Sequence, residues 1–179
     1  MKLPACGIMN HTAAKDGHQT EMEEYMTKDE ALAALKGDMG KDSEPGEWLL
    51  VDQPLINQYV ALSGETGWIH TDPKLARERT KFGNCIAPGN MGIALMPRMS
   101  RSNSVYSRYE RKYSLNQGWD RIRYLEPLRA DSRIRSRSKL VSVDEHPDGS
   151  LRVAVEFRME VENQDKPWVI GTKVGRFFY

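Results

Sequence analysis

Apolar and polar residues alternate along the last third of the chain. The clearest stretch places six apolar residues at a spacing of two: Leu151, Val153, Val155, Phe157, Met159 and Val161. This period is typical of a strand with one buried face. It also runs through 121–124 and 133–140, and the Pro-Asp-Gly-Ser sequence at 147–150 predicts a hairpin before the stretch above. A last strand is predicted at 168–178.

Helical spacing dominates the part of the chain before residue 100. After a short apolar strand at 48–51, apolar residues recur at i, i+4 and i+7 behind the helix cap Asp52, and this helix ends at Gly64. Asp72, followed by proline, predicts the start of a second short helix at 73–79.

An apolar segment with no β-branched run opens at Pro88-Gly89 and reads GNMGIALMPRM. It predicts a buried helix whose core side carries Met91, Leu95, Met96 and Met99. One long helix wrapped by a curved antiparallel sheet is an α+β architecture. Such a sheet leaves an open edge, so we expect a homodimer, or a dimer of dimers, that forms through edge strands.

The first 46 residues differ from the rest of the chain. Residues 1–19 have weak periodicity and predict a loose end. Residues 20–36 are rich in helix formers and predict one or two short helices, stopped by Gly37 or Gly40. We therefore expect an N-terminal extension over 1–46 and one domain over 47–179.

Composition excludes several classes of protein. Hydrophobic residues make up 39% of the 179 residues, which is typical of a globular chain. No apolar run is long enough to cross a bilayer, and none precedes the Leu-Pro-Ala-Cys sequence near the start, so we expect a cytoplasmic protein. Two cysteines, Cys6 and Cys85, cannot form a disulfide framework, and we expect Cys85 to be buried.

Positive charge is concentrated in one part of the sequence. Residues 1–50 hold five Lys/Arg against ten Asp/Glu, whereas 98–139 hold twelve against four. A basic stretch indicates either an anionic partner or a solvated sheet face. Nucleic-acid binding through the arginine-rich strand is an alternative that strong, salt-dependent affinity would support, although we expect neither a nucleic-acid nor a membrane partner.

The candidate chemistry lies in the segment 62–96. Glu65 and His70 are five residues apart across a glycine-containing turn, and a loop would be needed to aim both side chains at one point. A carboxylate and an imidazole together form a general acid/base pair. Asp72 is better explained as a helix cap.

The same segment resembles the hydratase motif of the MaoC-like dehydratases, which include the (R)-specific enoyl-CoA hydratases, and is most similar to the NodN-like branch. The family pattern is Ser-Gly-Asp-x-Asn-Pro-x-His-x-Asp-Pro, then Phe-Gly and Ile-x-His-Gly. The matching residues are Ser63, Gly64, His70, Asp72, Pro73, Ala76, Phe82, Gly83, Ile86 and Gly89. A later stretch, 115–135, resembles the family's Asn-Tyr-Gly…Val-Arg-Phe…Pro-Val…Gly-Ser region. The resemblance covers 48–179.

The resemblance implies a hot-dog fold and the hydration or dehydration of a 2-enoyl thioester on coenzyme A or acyl carrier protein. His70 would activate water at the β-carbon, and Glu65 would take the place of the family's Asp in proton transfer to the α-carbon. The Gly89 N–H, at the start of the buried helix, would hold the thioester oxygen. No metal or redox cofactor is expected.

Three departures from the family pattern leave alternatives open. The family's Asp is Glu65, its Asn is Gly67 (with Trp68 in place of Pro), and the His before the helix glycine is Pro88. These changes favour a non-catalytic acyl-thioester-binding protein as one alternative, and a thioesterase on the same fold is another. For the phosphates of a carrier thioester, the candidate contacts are Arg121, Arg123, Arg133 and Arg135.

Overall fold

A computed structural model describes residues 25–100, 104 and 109–179. Their strands form one antiparallel sheet in the order β1-β3-β4-β5-β2. The bounds are β1 Leu49–Val51, β2 Tyr113–Tyr124, β3 Ser132–Glu145, β4 Leu151–Val161 and β5 Val169–Phe178. The predicted hairpin joins β3 to β4, and the six apolar residues of β4 are all buried.

Within the described residues, five helices accompany the sheet: α1 Lys28–Asp38, α2 Gln53–Ser63, α3 Trp68–Thr71, α4 Pro73–Arg79 and α5 Gly89–Met99. Both predicted caps are confirmed. The Asp52 carboxylate accepts a hydrogen bond from the Leu55 N–H, and the Asp72 carboxylate accepts from the N–H groups of Lys74 and Leu75. Within the described residues, no helix has the length and apolar character needed to span a membrane.

Helix α5 is the buried helix that the sequence predicts. It contacts β3 and β5, and its methionines belong to the core together with the fully buried Phe157 and Trp168. Gly92 lies against the Trp168 ring, which an ideal Cβ on the glycine would approach to 3.4 Å. One helix packed on a curved antiparallel sheet is the hot-dog arrangement, so the predicted α+β fold is confirmed.

Of the one or two short helices predicted at 20–36, the described residues contain α1, which begins at Lys28. Residues 25–27 are not helical, and α1 starts after Thr27, which forms a reciprocal capping box with Glu30. The predicted residues 20–24 lie outside the described part of the chain. The buried Ala31 and Leu35 place α1 in the core.

Residues 40–46 extend along the edge of β3 beyond β1. The N–H groups of Gly40, Ser43 and Gly46 donate to backbone carbonyls of β3 at 2.7–2.9 Å. This segment therefore covers part of an edge that would otherwise expose unpaired backbone groups. The domain boundary between 46 and 47 stays a prediction.

Strand β2 is longer and less regular than the sequence indicates. Its register with β5 shifts twice, and at the second shift Arg121 adopts a left-handed φ of 54°. The regular alternation predicted for 121–124 is therefore wrong at this β-bulge. No described strand pairs with the outer edge of β2. The formation of a dimer through this edge stays a prediction.

Candidate active site

His70 lies in the one-turn helix α3, and not in a loop as the spacing had suggested; only 64–67 is a loop. Its Nδ1 atom lies 2.7 Å from the carbonyl oxygen of Ile86. A carbonyl can only accept, so Nδ1 carries the hydrogen and Nε2 keeps a lone pair in the neutral ring. The His70 carbonyl in turn accepts from Nε2 of Gln53 at 2.7 Å, which fixes the backbone of α3.

Glu65 follows the α2 cap Gly64, which is left-handed with a φ of 77° and turns the chain away from the helix. Its N–H donates to the Ser63 hydroxyl at 3.3 Å. Its Oε2 atom is buried and finds no hydrogen-bond partner in the described part of the chain. Buried acceptors are nearly always paired, so this oxygen is suited to accept from a bound water or hydroxyl group.

Two tyrosines, Tyr59 and Tyr124, lie close enough to Glu65 for its charge to affect their pKa values. Burial raises the pKa of Tyr124, and the negative charge of Glu65 raises it further. The same two causes, in the same order, raise the pKa of Tyr59. Both phenols therefore keep their protons near neutral pH, and their hydroxyl groups remain hydrogen-bond donors.

Gly89 is the first residue of α5, behind the cap position Pro88, which makes no side-chain cap. No described residue accepts a hydrogen bond from the Gly89 N–H, so this amide is free at the positive end of the helix. An ideal Cβ on Gly89 would lie 3.1 Å from two atoms of the Tyr124 ring. A side chain at position 89 would therefore require the Tyr124 ring to move by a few tenths of an ångström.

The predicted site residues are linked only through intermediate residues, and no hydrogen bond joins Glu65 to His70 within the described part of the chain. Tyr124 lies against Gly89 and is close enough to Glu65 to feel its charge. His70 is held by Ile86, three residues before Gly89 along the same segment. Sequence reasoning missed the roles of Tyr124 and Gln53. A signal for Tyr124 was present, because it stands where the family pattern Val-Arg-Phe has its phenylalanine.

The arginine candidates separate into two groups. Arg133 and Arg135 form ion pairs with Glu162 and Glu160 at 3.0 and 2.6 Å. Arg121 and Arg123 are exposed at the bulged end of β2. No acidic side chain of the described residues forms an ion pair with either of them. The β2 pair, which precedes Tyr124 in the sequence, is thus the pair whose charges no described carboxylate neutralises.

Cys85 is buried as expected, and burial raises the pKa of its thiol, which keeps it protonated and unreactive. No group of three or more His, Cys, Asp or Glu side chains that would hold a metal ion occurs within residues 25–100, 104 and 109–179.

Known proteins match both the sequence and the fold. The model of the MaoC-like domain family matches residues 35–163. The chain is 30% identical over 148 residues to the 3-hydroxyacyl-thioester dehydratase Z of Mycobacterium tuberculosis, which covers 83% of this chain and 96% of that protein. It is also 30% identical over 137 residues to nodulation protein N of Rhizobium meliloti, over 76% of this chain and 84% of that one.

Among solved structures, the (R)-hydratase from A. caviae involved in PHA biosynthesis aligns with a TM-score of 0.62 at 15% identity, over 75% of this chain and 95% of that one. This likeness shows the fold. With the family match over more than half of the sequence, the chain belongs to the MaoC-like dehydratase family.

Proposed function

We propose that the protein is a lyase that reversibly hydrates a 2-enoyl thioester to the 3-hydroxyacyl thioester, on coenzyme A or acyl carrier protein. The family match and the dehydratase and hydratase names of its relatives support this class of reaction. The observation that carries the assignment to this site is the buried, unpartnered Oε2 of Glu65. This atom lies in the same motif as an imidazole whose Nε2 has no hydrogen-bond partner among the described residues.

His70 acts as the general base in the hydration direction. Its Nε2 takes one proton from water while the water oxygen bonds to the β-carbon of the substrate. The electron pair of the carbon–carbon double bond shifts toward the thioester, whose oxygen becomes an enolate. The free Gly89 N–H and the dipole of α5 stabilise that charge, as in other oxyanion sites.

Glu65 completes the proton transfer. The proton that His70 took from water passes to the Glu65 carboxylate and from there to the α-carbon of the enolate, and the thioester carbonyl re-forms. One water is thereby added across the double bond, and both residues return to their starting protonation states. A carboxylate with an unpartnered buried oxygen is suited to hold the attacking water and to share this proton with His70. No step requires a metal or a redox cofactor.

Two exposed features support a phosphate-bearing carrier and an assembly of more than one copy. Arg123 and Arg121 would contact the phosphates of the carrier, because no described carboxylate neutralises the charges of these two arginines. The unpaired edge of β2 would join a second copy and give a homodimer or a dimer of dimers.

A panel of enoyl thioesters of increasing chain length tests the function. With crotonyl-CoA, we expect the enoyl absorbance to fall without release of a free thiol. Release of free thiol from acyl-CoA would instead identify a thioesterase. Tight binding of acyl-CoA with neither signal would identify a non-catalytic binding protein and would overturn the proposal.

A further inference from the structure

A tyrosine–asparagine pair stands at the start of α5, and the mechanism above does not use it. The Tyr124 hydroxyl donates a hydrogen bond of 2.5 Å to Oδ1 of Asn90. Asn90 is the second residue of α5 and directly follows Gly89. Because the hydroxyl occupies Oδ1, the Nδ2 amino group faces away from it. No described residue accepts from that group.

Tyr124 is itself held in place on two sides. Its backbone pairs with Val169 at the end of β2, and its ring lies against the α-carbon of Gly89. Burial of the phenol and the Glu65 charge both raise the pKa of Tyr124, so the hydroxyl remains a donor over the neutral pH range. This donor fixes which end of the Asn90 amide points away from the strand.

We propose that Asn90 is a substrate-binding residue whose Nδ2 donates a hydrogen bond to the thioester carbonyl oxygen, beside the Gly89 N–H, and that Tyr124 is its positioning residue. The identity of the substrate rests on the proposed function. Pro88 has no N–H to offer. The side-chain donor of Asn90 therefore adds to the backbone amides that begin at Gly89, and it acts on the oxygen that becomes an enolate.

The substitution Asn90→Asp separates this role from a structural one. An aspartate in the first turn of a helix is stabilising, so the thermal midpoint should stay equal or rise. The new carboxylate removes the donor and brings a negative charge to the site of the enolate, so kcat for crotonyl-CoA should fall about 100-fold. The matched control Asn116→Asp, whose side-chain oxygen still accepts from the Gly118 N–H, should keep wild-type kcat.

Tyr124 acts through Asn90, which predicts non-additive effects. Tyr124→Phe keeps the ring against Gly89 and should lower kcat roughly 10-fold with little change in KM. In an Asn90→Ala background, the same change should have no further effect. The control Tyr113→Phe retains a ring stacked on Phe178 at 4.4 Å and should leave kcat unchanged.

Binding of saturated butyryl-CoA, measured by calorimetry, gives a readout that does not need turnover. Asn90→Asp should weaken this binding about 10-fold. If the wild type binds butyryl-CoA, hydrates no enoyl thioester, and loses affinity in the variant, the inference holds and the proposed function fails. If affinity and kcat both stay within twofold of wild type in Asn90→Asp and Asn90→Ala, the inference is overturned.

Discussion

The imidazole of His70 donates from Nδ1 to the backbone carbonyl of Ile86, across 2.7 Å. This single hydrogen bond sets the tautomer of the ring and leaves Nε2 as the basic atom. It also joins the one-turn helix α3 to the segment that leads into α5. The proposed base and the proposed oxyanion donor are thus held by one short stretch of backbone, 86–89.

Two substitutions of Glu65 separate the charge of this side chain from its length. Glu65→Asp restores the residue of the family pattern and should preserve or raise kcat/KM. Glu65→Gln removes the charge at constant size and should lower kcat by about 100-fold or more. Its thermal midpoint should stay the same or rise, because the buried Oε2 has no partner among the described residues.

Steady-state hydration kinetics and thermal melts check both variants. A folded Glu65→Asp variant without activity would show that Glu65 does not occupy the position of the family's aspartate.

Two glycines one turn apart on α5 give a matched pair of substitutions. A Cβ at Gly89 would press on the Tyr124 ring at 3.1 Å, whereas a Cβ at Gly92 would meet Trp168 at an ordinary 3.4 Å. Gly89→Ala should therefore cost about 1–3 kcal/mol of stability and about 100-fold in kcat/KM. Gly92→Ala should keep activity within a few-fold and lose no stability. Equal effects of the two changes on activity would remove the special role of Gly89.

Arg123, which has no acidic partner among the described residues, predicts that the enzyme distinguishes substrates with carrier phosphates from substrates without them. Arg123→Ala should raise KM for crotonyl-CoA roughly 3- to 10-fold. It should leave KM unchanged for the N-acetylcysteamine thioester, which has no phosphate. Arg133→Ala, which removes an arginine that is ion-paired with Glu162, serves as the control. An equal rise of KM for both thioesters would indicate an effect on the acyl site instead of on carrier phosphates.

The hairpin between β3 and β4 carries a pH-dependent contact. Asp148 accepts hydrogen bonds from the N–H and hydroxyl of Ser150 and from the buried guanidinium of Arg176, and these donors lower its pKa. The unfolded chain therefore binds a proton at Asp148 before the folded protein does. Its stabilising contribution is present above about pH 4 and is lost as the pH falls through the lowered pKa.

Urea unfolding between pH 5 and pH 2.5 measures this contribution. The midpoint for the wild-type protein should fall with pH more steeply than the midpoint for Asp148→Asn. Asp165→Asn removes the same charge from the exposed turn between β4 and β5 and serves as the control. Identical slopes for the wild type and Asp148→Asn would contradict the assignment.

Local patterns in the sequence predicted most of the fold. The alternation in β4, the caps Asp52 and Asp72, and the apolar segment of α5 each determine a structure within a few residues, and all are confirmed. The start of α1 was missed because the Thr27–Glu30 capping box lies within a longer run of helix formers.

The remaining features depend on contacts between distant residues. Helix α3 is a single turn, too short for a helical period to show. The bulge at Arg121 depends on pairing with β5, and the contact between Gly89 and Tyr124 joins positions 35 residues apart. The motif named Glu65, His70 and Gly89. The contact of Gln53 with the His70 carbonyl joins two helices, and the contact of Tyr124 with Gly89 joins the sheet to a helix, so neither follows from a local pattern.

The hydration of crotonyl-CoA by the wild-type protein and by His70→Asn tests the proposed role of His70 as general base most directly. The asparagine amide can still donate to the Ile86 carbonyl, so the variant should fold with a thermal midpoint near that of the wild type. It has no basic nitrogen, so kcat/KM should fall by about 100- to 10,000-fold. A folded His70→Asn variant that hydrates crotonyl-CoA within a few-fold of the wild-type rate would contradict the proposal that His70 is the general base.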